Sequence, residues 1–210
     1  MITTAEFKSQ IAKPFGIEMQ KLGFKGSGFI FKKENKDFIF AIYIKGSRWG
    51  GRCSAGFAVH PKQIEKYSLG RLDLKKLPIH LYEFKMSLSK TAPGERWEYS
   101  NIQTENLQIV QKIVAAINER AVPAIQLYCN DPGLLDIFGV ADLKDFHRNY
   151  TKKTGVRIAT THIRFAWAMA TIFEFTNPVK ARLFAEYGIS QLIPGDTFFG
   201  KGDFERVLKG

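Results

Sequence analysis

The chain is poor in cysteine and in acid and has no long apolar run, and each shortage excludes something. Cys53 and Cys129 are its 2 cysteines, too few for a disulfide framework and without the CxxC spacing of a metal knuckle or redox pair. Both are expected to stay reduced and buried. No stretch approaches the ~18 uninterrupted apolar residues that a membrane span needs. No linker rich in Gly, Ser or Pro interrupts the chain, and no internal repeat appears. One cooperative domain over residues 1–210 is therefore expected, with a possible subdivision near residue 101. The N-terminus, Met1-Ile2-Thr3-Thr4-Ala5-Glu6, carries no basic stretch ahead of an apolar core, so the cytoplasm is the expected compartment.

What is present describes an ordinary folded chain. Its 210 residues are 45% hydrophobic and 13% aromatic, enough to offset the ordering entropy of folding and to bury roughly 70% of the surface exposed when unfolded. Lys and Arg outnumber Asp and Glu by 31 to 20, a net charge of +11. The excess is uneven. Residues 1–100 hold 18 basic and 9 acidic side chains, +9, whereas residues 101–210 hold 13 and 11, +2. A basic surface of this kind attracts nucleic acid, an anionic membrane surface or an acidic protein; spread evenly, it serves solubility alone.

The first segment reads as a helix opened by a capping box from Thr3 and Glu6, with Phe7, Ile11, Phe15, Met19 and Leu22 on one face. Pro14 predicts a kink or two short helices meeting near Lys13, and Gly23 a left-handed stop. From Gly28 the period becomes two. Strands are expected over Phe29 to Lys33, Phe38 to Ile44, Arg52 to His60 and His80 to Leu88. A short fifth at Trp97 and Tyr99 follows a turn at Pro93-Gly94. The Phe38 strand is apolar on both faces, so both should be covered. In the third strand Cys53, Ala55, Phe57 and Val59 share one face, and Arg52, Ser54, Gly56 and His60 the other.

Beyond Asn101 the pattern turns helical. A long amphipathic helix is capped near Thr104 and disturbed by Pro123, a second starts at Asp131-Pro132, and Lys152-Lys153-Thr154-Gly155 makes a helix end. An apolar helix lies within Ile158 to Phe175, with Trp167 off its buried side. Another runs from Asn177-Pro178 to Gly188, and a last short one follows Asp203. Segregated strands and helices give an α+β fold: an N-terminal helix, an antiparallel sheet of four to five strands, and a mostly helical C-terminal half packing on it.

The run Leu22-Gly23-Phe24-Lys25-Gly26-Ser27-Gly28-Phe29-Ile30-Phe31-Lys32, followed by an apolar strand and the hairpin Lys45-Gly46-Ser47-Arg48-Trp49-Gly50-Gly51, resembles the opening of the family called domain of unknown function 4304. The resemblance covers roughly the first sixty residues. It implies a bacterial, soluble protein of helix and antiparallel sheet, and it brings no activity.

The hairpin Gly46 to Arg52 has the most unusual local composition. Its small residues leave Arg48, Trp49 and Arg52 free to project, and an indole between guanidinium groups can stack on a base, a sugar or a partner's side chain. The alternative is an indole folded back over the sheet edge. Lys75 and Lys76, in the basic stretch from Lys62, are further candidates for steering an acidic protein. A non-catalytic binding module for an anionic partner, acidic protein or nucleic acid, is the leading expectation; an enzyme with a pocket on the sheet face is the alternative. His60, His80, His147 and His162 are scattered and form no HExxH pair, so no metal or cofactor is expected. His60 could line a pocket, but it lies across the sheet from Cys53. The glycines of Gly23 to Gly28 run helix to strand, the wrong order for a phosphate loop, and Gly200-Lys201-Gly202 has Asp203 where an anion would sit.

Overall fold

The computed structural model describes residues 2–67, 70–88, 96–131, 133–195 and 197–210. Helix α1 (Thr4–Lys21) opens with the capping box: Thr3 Oγ1 accepts from the Glu6 amide and the Glu6 carboxylate accepts from the Thr3 amide. It is one helix through Pro14, so the two short helices meeting near Lys13 do not form. A proline inside a helix costs about 3 kcal/mol. Phe7, Ile11, Phe15 and Met19 are all fully buried and contribute about 1.5–3 kcal/mol apiece, which outweighs that cost. The helix ends in a Schellman motif: Gly23, at φ +78°, donates to the Gln20 carbonyl and Phe24 donates to that of Met19.

The sheet follows. Strands β1 (Lys25–Ser27), β2 (Ile30–Glu34), β3 (Phe38–Gly46) and β4 (Arg52–Pro61) form an antiparallel meander. Strands β5 (Lys66–Tyr67) and β6 (Gly70–Arg71) make a separate small ribbon. Strands β7 (Phe84–Ser87) and β8 (Trp97–Glu98) pair with successive stretches of β4, both on its edge away from β3. The strand expected from His80 begins only at Phe84. Pro78 leads into a 3-10 turn over Ile79–Leu81, and Tyr82 packs on the opposite face of the sheet from Phe84. The Pro93-Gly94 turn and Pro132 lie outside the described residues.

The front face holds the main core. Phe38, Phe40, Ile42 and Ile44 from β3 and Cys53, Ala55, Phe57 and Val59 from β4 point into it, the faces expected from the period of two. Helix α1 covers part of this face. Helix α2 (Gln103–Ala116) begins at Ile102 with no side-chain cap, so Thr104 lies inside its first turn. A π-helical turn over Ile117–Ala121 joins it to α3 (Val122–Asn130). The proline explains the wide turn: in a regular helix the Pro123 ring would meet the carbonyl of Glu119.

Helices α4 (Phe146–Thr154), α5 (His162–Phe173), α6 (Pro178–Ser190) and α7 (Lys201–Lys209) complete the helical half, and Phe165 of α5 touches Phe84 of the sheet at 5.6 Å. Trp167, expected off the buried side, is fully buried, because α7 and the Phe198–Phe199 turn cover it; its Nε1 donates to Asp203 at 2.9 Å. Cys129, expected buried, is exposed. Among the described residues no helix is long and apolar enough to cross a membrane.

Candidate functional site

Among the described residues a second small core covers one end of the back face. There the strap of residues 72–82 lays Leu77 and Tyr82 over Ile39, Ala41 and Ala58. Toward the β3–β4 hairpin the described residues leave a cleft on this face. There β3 turns Tyr43 and Lys45 outward, β4 contributes Ser54 and Gly56, and β7 contributes Lys85 and Ser87. The hairpin adds Arg48 and Trp49, and Arg96 enters beside β8. Together they line a cleft of about 590 Å³. Among the described residues its lining carries four cations and no carboxylate.

The floor depends on Gly56. It sits opposite Tyr43 in the register, and a Cβ there would overlap the phenol ring, so the ring lies where a larger residue would have expelled it. Burial pushes the Tyr43 hydroxyl above its ordinary range. Lys45, Arg48 and Arg96 are exposed, and no described carboxylate forms an ion pair with any of them. Lys85 is half-buried and donates from Nζ to the His80 carbonyl at 2.6 Å. Burial lowers its pKa, Arg164 lowers it further, and Glu83 opposes both. Beneath it Glu83, fully buried, takes a two-pronged contact from Arg164, Nε to Oε2 at 2.9 Å and Nη2 to Oε1 at 3.2 Å. That acid is thereby committed to Arg164.

The hairpin is held at its root. Thr4 Oγ1, in the first turn of α1, donates to the Ser47 carbonyl at 2.6 Å, so the Tyr99 hydroxyl at 2.8 Å is the donor to Thr4. Tyr99 in turn stacks on Phe7 at 4.1 Å. Ser47 Oγ accepts from the Trp49 amide, and Gly50 and Gly51 take φ +76° and +70°, a left-handed pair that glycine adopts without strain. Trp49 is consequently 78% exposed, with the Arg48 guanidinium 4.6 Å above its ring. The indole does not fold back over the sheet.

Arg52 lies at the same hairpin but pairs with Glu98 at 2.9 Å. Lys75 lines a different groove, with Lys25, Lys32, Lys33, Lys62 and Glu34, and exposed Lys76 lines neither. That second groove is basic, yet most of its ammonium groups are tied down. Lys32 donates to the Leu77 carbonyl, Lys33 to that of Leu22, and Lys62 pairs with Glu34 at 2.7 Å. A third cavity, about 570 Å³ between Phe57, Met86 and the π turn, is mainly apolar with Glu119, Arg120 and Arg157 among its lining.

His60 does not line a pocket: it is fully buried, and its Nε2–H donates to the Ile64 carbonyl at 3.0 Å. Burial pushes its pKa down to about 4 and that of the Cys53 thiol up to about 12. Among the described residues no three His, Cys, Asp or Glu side chains gather closely enough to hold a metal ion. Sequence reasoning missed Tyr43, Lys45, Lys85 and Arg96. For Lys45 the signal was present, since it continues the outward face of β3. Lys85 and Arg96 come from β7 and the lead into β8, which join the cleft only through their pairing with β4.

The chain matches the family described as Domain of unknown function (DUF4304) over residues 15–127, more than half of its 210 residues, and belongs to that family. The matched segment begins inside α1 and ends in α3, so it takes in the sheet and every residue lining the cleft except Ala159. No curated protein and no solved structure matches the chain.

Proposed function

We propose that this member of the DUF4304 family is a non-catalytic binding module that holds an anionic partner in the cleft between the β3–β4 hairpin and β7. The observation that carries this reading is the lining itself: Lys45, Arg48, Lys85 and Arg96, with no carboxylate among the described lining residues. Like charges gathered in one concavity repel each other and raise the local potential, an arrangement that an anion relieves. The free, unpaired cysteines suit a reducing compartment such as the cytoplasm.

The second basic groove is the internal comparison. Removing three exposed cations from the cleft (Lys45→Ala, Arg48→Ala, Arg96→Ala) should lower the salt needed to elute the protein from immobilised heparin, a general polyanion. Removing three from elsewhere (Lys25→Ala, Lys75→Ala, Lys76→Ala) changes net charge equally and should shift elution far less. Equal shifts in the two triple variants would mean that charge acts diffusely and that the cleft is not the site.

A further inference from the structure

Resting on the reading above, we infer that the anion is the phosphate backbone of a single-stranded nucleic acid, with one unpaired base stacked on Trp49. The cations alone would serve any polyanion; the aromatic groups narrow the choice. An indole 78% in water leaves a large apolar surface unburied that a planar partner could cover. Here the backbone enforces that exposure through the Gly50-Gly51 turn and the Thr4 anchor at Ser47. The platform is thus set in place before any ligand arrives, which spares the ordering cost at binding.

Arg48 lies over the Trp49 ring, and the rest of the indole is open to a planar group. Nucleobases are such groups, and stacking is tolerant of which base it is. The cleft beside it, about 590 Å³ with Tyr43 on its floor, has the size of a small-ligand site. It admits a chain one nucleotide wide, with phosphates set against Lys45, Lys85 and Arg96. A duplex keeps its base faces stacked inside and presents none to Trp49. An acidic peptide would satisfy the cations with carboxylates and leave the indole in water.

The test compares a short dye-labelled oligothymidylate with an abasic oligomer of the same phosphate count, by fluorescence anisotropy at low and at physiological salt. Both carry the same charge and only one can stack. The oligothymidylate should bind the wild-type protein roughly ten- to a hundredfold more tightly than the abasic strand. Trp49→Ala should erase that difference and Trp49→Phe retain most of it. With three cations engaged, affinity should fall roughly twentyfold between 50 and 200 mM salt. Equal affinity for the two strands, with heparin retention at the cleft intact, would overturn the nucleic-acid assignment in favour of an acidic protein and leave the anion-binding cleft standing. Loss of cleft-dependent heparin retention as well would remove both.

Discussion

Tyr43 and Gly56 face each other across β3 and β4, and the phenol ring occupies the space that any side chain at Gly56 would need. The pair floors the basic cleft. Gly56→Ala must therefore move the ring or bend the strand, and overpacking of this kind costs about 1–3 kcal/mol. A lower urea midpoint together with weaker heparin retention is the expected result; an unchanged protein would mean that the ring does not shape the cleft.

The anchor at the hairpin root can be cut without touching the cleft lining. Thr4→Val removes the hydroxyl that donates to Ser47 and accepts from Tyr99. The lost hydrogen bonds cost about 1 kcal/mol each. If the anchor positions Arg48 and Trp49, polyanion affinity should drop severalfold in this variant. Stability loss with unchanged affinity would show the anchor to be purely structural.

His60 gives stability a defined pH dependence. Burial holds its folded pKa at about 4, below the usual 6.5, so between those values the unfolded chain takes up a proton that the folded one refuses. Stability then falls as pH falls through that window, by about 2 kcal/mol from pH 7 to pH 5 for a shift of this size. Urea denaturation at the two pH values should show this extra loss in the wild-type protein and not in His60→Gln. Parallel behaviour of the two proteins would contradict it.

Two helical glycines should respond in opposite directions to alanine. At Gly16 the nearest atom to an added Cβ is Phe31 Cζ at 3.6 Å, ordinary contact, so Gly16→Ala should gain about 0.5–1 kcal/mol from helix propensity. At Gly188 the added Cβ would overlap the Phe204 ring that packs α7 on α6. There the same substitution should lose about 1–3 kcal/mol. Thermal midpoints moving the same way for both would contradict the packing described here.

The outcome along the sequence follows from the range of each interaction. Capping at Thr3, the stop at Gly23 and the alternation of β4 depend on residues a few positions apart, and periodicity exposes them. The strap does not: Tyr82 alternates in register with Phe84, yet Pro78 and the 3-10 turn carry it to the other face. Trp167 looked peripheral because its cover, α7, is thirty-odd residues away in the chain. The cleft was half legible for the same reason. Arg48 and Trp49 stand in one unusual hairpin, whereas Lys85 and Arg96 reach it only through strand pairings that no local pattern announces.

The most direct test of the cleft as an anion site is to map binding on the protein itself. Backbone amide shifts of isotope-labelled protein, followed during titration with short-chain inorganic polyphosphate at low salt, would report every surface that responds. Saturable shifts should concentrate at Tyr43 to Arg52, Lys85 to Ser87 and Arg96. Shifts concentrated instead around Lys25, Lys62 and Lys75, or none at all, would contradict it.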